Sequence, residues 1–151
     1  LCARPETTTD MATFALGFVE TSLPHGVWSC PNPKQLCAVA GGYAYLVQPG
    51  QPSQCTQIPY RPVTSVHPAV EQNLLIFASF HKLWALGPNG QVWETARLSW
   101  EGLRVTGIAG QKLEGFGWDI MTDSEVAFTV DLTTGNHSGG AGSNNSVSEG
   151  R

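Results

Sequence analysis

Charge is scarce in this sequence: only 13% of its 151 residues are Asp, Glu, Lys or Arg, about half of the ~25% typical of soluble domains. That shortage argues against a solvated helical bundle, whose outer faces need charge. Eight basic against twelve acidic residues give a net charge of −4 with no Lys/Arg cluster, so the electrostatic footprint of a nucleic-acid binder is missing. No apolar run approaches the ~20 residues that cross a bilayer as a helix, and no membrane span is expected. Nucleotide loops are missing as well. No Gly-x-Gly-x-x-Gly opens a helix, no Gly-Lys-Ser/Thr phosphate loop occurs, and no Gly-x-Ser-x-Gly elbow presents a nucleophile. Gly115-Phe116-Gly117 lacks a third glycine, and Ser138 with its flanking glycines sits in a linker-like stretch. No cofactor is expected. The chain starts at Leu1 without a charged-then-apolar leader pattern, which leaves localisation open.

All four cysteines, Cys2, Cys30, Cys37 and Cys55, fall in the first 55 residues. An even number permits three full pairings in an oxidising compartment. The six residues between Cys30 and Cys37 exceed the spacer of ordinary zinc knuckles, so no metal is expected. Two readings stay open: a disulfide that staples a loop-rich region, or free thiols acting as small apolar side chains.

What the sequence does hold is punctuation. Seventeen glycines and ten prolines separate apolar runs of about five to seven residues, too short and too rich in β-branched and aromatic types for helices. The predicted class is all-β, an antiparallel meander of blade-like sheets, built as a partial propeller, a sandwich or an open barrel. Strands are expected over 14–20, 36–40, 43–47, 56–60, 63–67, 74–78, 81–86, 91–95, 103–108, 113–118 and 126–132. Residues 1–12 are polar and read as a flexible lead-in, 13–134 as a single β domain, and the Gly/Ser/Asn-rich stretch 135–151 as a disordered tail. Asn89-Gly90 predicts a type I′ hairpin, since both types tolerate positive φ. A simple register across it sets Trp84 opposite Trp93.

An internal repeat underlies this pattern. Laying Leu36 on Leu74, an offset of 38, matches Val39 with Phe77, Ala40 with Ala78 and Tyr45 with Leu83. The same offset lays Leu75 on Leu113 and Ser79 on Gly117, and after an insertion of about seven residues Gly90 falls on Gly135. A period near 40 with about four short strands per unit is the signature of propeller blades. Residues 82–93 (KLWALGPNGQVW) resemble the repeat of quinoprotein-type propellers, in which a strand, an aliphatic pair, a Gly-centred hairpin and a Trp follow in order. Residues 128–135 (FTVDLTTG) are similar to a second copy. The resemblance implies radial four-stranded blades. Three units are fewer than the four to eight that close a ring, so either two chains complete a ring or the sheets pack as a sandwich or open barrel. Too few repeats are present to form a quinone funnel, and that activity is not carried over.

Candidate chemistry concentrates in residues 115–125, where Trp118, Asp119, Asp123 and Glu125 surround a turn. The acidic spacing does not match a calcium loop; Asp119 and Asp123 are also suited to accept backbone N–H bonds within the turn. Trp100, placed just before Gly102, offers a rigid flat face for a ligand or partner. The leading expectation is a non-enzymatic recognition or interaction module whose ligand-binding residues are Trp100, Trp118, Asp119 and Asp123, with a protein or small ligand as partner. The alternative is a small hydrolase or lyase that gathers His81, Asp119 and Asp123; a third reading is a structural fragment of a larger assembly. If an exposed strand edge remains, the apolar stretch 74–80 would invite edge pairing, and self-association as a homodimer that covers it is expected on that ground.

Overall fold

A computed structural model describes residues 2–3, 10–11 and 22–142. The strand expected over 14–20 lies outside them. Within the lead-in, β1 (Cys2–Ala3) pairs antiparallel with β2 (Asp10–Met11). Twelve further strands form three four-stranded sheets, each a meander in chain order. The first contains β3 (Gly26–Ser29), β4 (Leu36–Ala40), β5 (Tyr43–Gln48) and β6 (Gln51–Gln57); the second β7 (Ser65–Ala69), β8 (Leu74–Ala78), β9 (Leu83–Gly87) and β10 (Gly90–Glu94). The third contains β11 (Leu103–Ala109), β12 (Lys112–Asp119), β13 (Ser124–Asp131) and β14 (His137–Gly139). Among the described residues every pairing is antiparallel, no barrel closes, and the helical element is one 3-10 turn, Val70–Gln72. The chain is all-β, made of blade-like units.

Alternation along the strands stacks the sheets. In β8, Leu75 and Phe77 join Trp84 and Leu86 of β9 in a cluster with Cys37, Val39 and Ala44 of the first sheet. Leu74, Ile76 and Ala78 point the other way and join Leu83, Ala85 and Trp93 against Leu103, Leu113, Phe128 and Val130 of the third. The middle sheet is therefore covered on both faces, and β8 and β9 are buried throughout. Each large apolar side chain so enclosed contributes roughly 1.5–3 kcal/mol. Position 74–80 is thus no edge: β8 lies between β7 and β9. The edges themselves are blunted by Pro68 in β7, a bulge between Val105 and Gly107 in β11, and the brevity of β14.

The repeat needs one correction. Offset 38 superposes the bounds of β4 and β8, yet Cys37 and Val39 face forward onto the second sheet while Leu75 and Phe77 face back onto the first. An odd offset is required between sheets one and two, because one residue reverses a strand's faces. Between sheets two and three the offset preserves the face, since Leu75 and Leu113 both point to the preceding sheet.

One turn differs from expectation. The two-residue turn with positive φ at both positions is Gly41 (56°) and Gly42 (83°), joining Ala40 to Tyr43. The β9–β10 hairpin forms, but Gly87 pairs with Gly90, so its central residues are Pro88 and Asn89. The proline ring fixes φ negative and excludes type I′; Gly90 alone takes a positive φ there. A bulge then follows between Gln91 and Trp93, setting Trp93 opposite Ala85 and Glu94 opposite Trp84. The expected Trp84–Trp93 contact is absent for that reason: the extra residue turns Trp93 to the face opposite Trp84. There its Nε1 donates to the Leu132 carbonyl at 2.7 Å. Its ring rests on Gly135, where an added Cβ would stand 2.7 Å from Trp93 Cβ and Cγ.

The tail reading changes at its start. His137–Gly139 pairs with β13, and Ala141 is buried with its N–H on the Leu98 carbonyl. Backbone pairing on an open edge needs no apolar side chain, and a Cβ at Gly139 would lie 2.2 Å from the Ala127 carbonyl oxygen, so a glycine-rich segment suits this edge. Residues 143–151 lie outside the described set. Cys30, Cys37 and Cys55 are free thiols, with Cys37 buried in the first cluster. Burial raises the Cys30 thiol to about 11; it also pushes Cys37 up, with Cys30 adding to the effect. Thiols so placed stay protonated and pack as apolar groups.

Candidate ligand-binding site

The connection from β10 to β11 crosses the second and third sheets and is stitched to both. Thr95 Oγ1 accepts the Leu83 N–H at 3.0 Å, and the His81 carbonyl accepts the N–H of Leu98 at 2.7 Å. Ser99 is fully buried; its hydroxyl donates to the Gly102 carbonyl and accepts the Trp118 N–H at 2.8 Å. Trp100 N–H donates to the Trp118 carbonyl at 2.9 Å. Close approach depends on Gly117, where a Cβ would lie 2.0 Å from the Leu98 carbonyl oxygen. With its backbone held on both sides, this segment places the Trp100 side chain at the surface, 38% exposed.

Beside it, the β8–β9 turn raises Phe80, 44% exposed, and His81. Phe80, His81, Trp100, Glu101 and Gly102 line an open cavity of about 390 Å³. The Arg97 guanidinium lies 4.3 Å from the Trp100 ring centroid, a cation–π contact that steadies the indole. His81 Nδ1 lies 3.2 Å from the Ser99 carbonyl and 3.4 Å from Arg97 Nη1. A protonated Nδ1 donates to the carbonyl, whereas the other tautomer accepts from Arg97. Among the described residues, neither Arg97 nor Glu101 has an ion-pair partner.

Of the residues singled out from sequence, Trp100 and His81 meet in this cavity. Trp118 is half-buried and enters through its backbone contacts to Ser99 and Trp100. Asp119 is committed to its own turn, accepting the Met121 N–H and the Thr122 hydroxyl, each at 3.0 Å. Asp123 occupies the same turn at φ 52°, a left-handed geometry that short polar side chains tolerate. Neither carboxylate lines the cavity, so the acidic turn and the aromatic surface are separate features. Phe80, Arg97 and Glu101 are the residues sequence reasoning missed. A large apolar side chain at a predicted turn, as at Phe80 after strand 74–78, was the available signal.

A second polar group joins the connection between the first and second sheets to the second sheet. The Tyr60 hydroxyl and Lys82 ammonium both donate to the Glu94 carboxylate. Burial alone would raise the Glu94 carboxyl, but the hydrogen bonds from Lys82 and Tyr60 and the Lys82 charge outweigh it and hold it below the usual range. Desolvation of the half-buried Tyr60 and its bond to that carboxylate raise its hydroxyl to about 12. This arrangement ties the 58–64 connection to β9 and β10. Another cavity, of about 410 Å³, lies among Val27, Trp28, Pro31, Pro68 and Val70 and is lined by no charged side chain. Among the described residues, no three His, Cys, Asp or Glu side chains gather as a metal site, and no helix is long and apolar enough to cross a membrane. The chain matches no family model and no curated protein.

Proposed function

We propose that this chain is a recognition module, built of blade-like sheets of the quinoprotein-type propeller class, whose binding surface is the Phe80–His81–Trp100 cavity. The observation that carries the reading is the pairing of two exposed aromatic rings with a backbone fixed by buried Ser99. A rigid aromatic surface binds with little ordering cost, and aromatic side chains dominate the energetics of such contacts. Asp119 favours recognition over hydrolysis, because both of its oxygens accept bonds within the turn. The test is selection of ligands from displayed-peptide and immobilised-glycan panels against the wild-type chain. Trp100→Ala should lose the selected ligands while keeping the wild-type far-UV spectrum; ligands bound equally by both proteins overturn the assignment.

A further inference from the structure

We infer that the Trp100 cavity takes an uncharged sugar ring of a glycan chain. This deepens the recognition reading and rests on it. The argument begins with charge. Arg97 stands on the Trp100 ring and Glu101 lines the cavity, and neither is neutralised by an ion pair among the described residues. The two opposite charges meet at Trp100, Glu101 in the lining next to it and Arg97 outside the lining against its ring, so that neither sign stands alone to select an anion or a cation. They do supply strong hydrogen-bonding groups of both kinds: a guanidinium that only donates and a carboxylate that only accepts. Vicinal hydroxyls, each both donor and acceptor, can satisfy the two together.

The floor supplies the other half of the recognition. A pyranose ring has an apolar face of C–H groups and a rim of hydroxyls, matching a flat indole edged by polar groups. Trp100 and Phe80 are both exposed and line the cavity, and His81 adds a ring nitrogen to the lining. An opening of about 390 Å³ without a roof suits a short segment of chain that continues beyond the cavity at either end. The second cavity, lined by Val27, Pro68 and Val70 together with Ser29 and Asn73, has no charged side chain in its lining.

The full chain should be titrated with neutral hexasaccharides of β-1,4-linked glucose, mannose and xylose and of α-1,4-linked glucose. Tryptophan emission and the Trp100 indole N–H resonance would be followed. At least one series should saturate and move that resonance, with affinity falling at least tenfold in Trp100→Ala and several-fold in Glu101→Gln, both at unchanged melting temperature. Oligogalacturonate and chitosan oligomers, of opposite charge, should bind no tighter than the neutral series; tighter binding of either overturns the inference. If no neutral saccharide moves the Trp100 resonance but a display-selected peptide does, the ligand class is wrong and the recognition reading stands. If neither moves it, both fall.

Discussion

Replacing Trp93 with phenylalanine removes one N–H group and tests how the second and third sheets are held together. The indole Nε1 donates to the Leu132 carbonyl at 2.7 Å, and Leu132 is fully buried. Phenylalanine keeps most of the apolar contact but leaves that carbonyl without a donor in a site closed to water, a loss of about 1–3 kcal/mol. The smaller ring adds roughly 1 kcal/mol for the void against Gly135. A total of about 2–4 kcal/mol is large beside the ~5–15 kcal/mol that stabilises a typical domain. Urea denaturation followed by far-UV circular dichroism reads it directly, and with a slope of ~1–3 kcal/mol/M the midpoint should fall by about 0.7 M or more.

Gly135→Ala probes the same contact from the other side. The position has φ 76°, and its Cβ would press on Trp93. By displacing the indole, the alanine should itself weaken the bond to Leu132, so Trp93→Phe should cost less in the Gly135→Ala background than in wild type. A Trp93→Phe midpoint indistinguishable from wild type, or strict additivity in the double variant, would refute the claim that this indole joins the sheets.

Gly117→Ala should destabilise by more than about 3 kcal/mol, since backbone of the buried 98–99 segment stands where the methyl must go; a soluble variant with a wild-type melting temperature contradicts that packing. Asp119→Ala should cost about 1 kcal/mol through lost turn bonds and leave binding at Trp100 unchanged, which paired melting and titration curves would check. Acidification should lower stability in two stages. Burial holds His67 below its ordinary 6.5, and Glu94 is held below its ordinary 4.5; in both cases the unfolded chain takes up the proton first, so stability is whole above the ordinary value and lost as pH falls beneath it. His67→Gln should flatten the melting-temperature profile in the upper window and Glu94→Gln in the lower, and an unaltered profile in both would count against these assignments.

Local chemistry was legible where a short rule decides it. The bounds of β4 and β8 follow from apolar runs closed by turns, and Gly41-Gly42 marks a tight turn because only glycine takes its dihedral angles without strain. The strand at Gly26–Ser29 escaped notice because four residues between prolines give too few positions to show alternation. His137–Gly139 escaped because composition measures side-chain burial, whereas this strand is held by backbone bonds to β13. Trp100 and His81 were visible as an aromatic at a turn and a histidine after a strand, and Phe80 was legible as a large apolar side chain at a turn, but Arg97 and Glu101 carried no signal until the connection brought them to Trp100.

The sequence by itself determined an all-β chain of short antiparallel strands and the placing of most turns, since alternation, β-propensity and glycine dihedrals act within a few residues. Tertiary structure decided which way Trp93 faces, which offset relates the first sheet to the second, and which side chains share the surface at Trp100. A single bulged residue reverses a strand's two faces, and the neighbours of a side chain across stacked sheets are set by how those sheets pack, a long-range property that no local pattern contains.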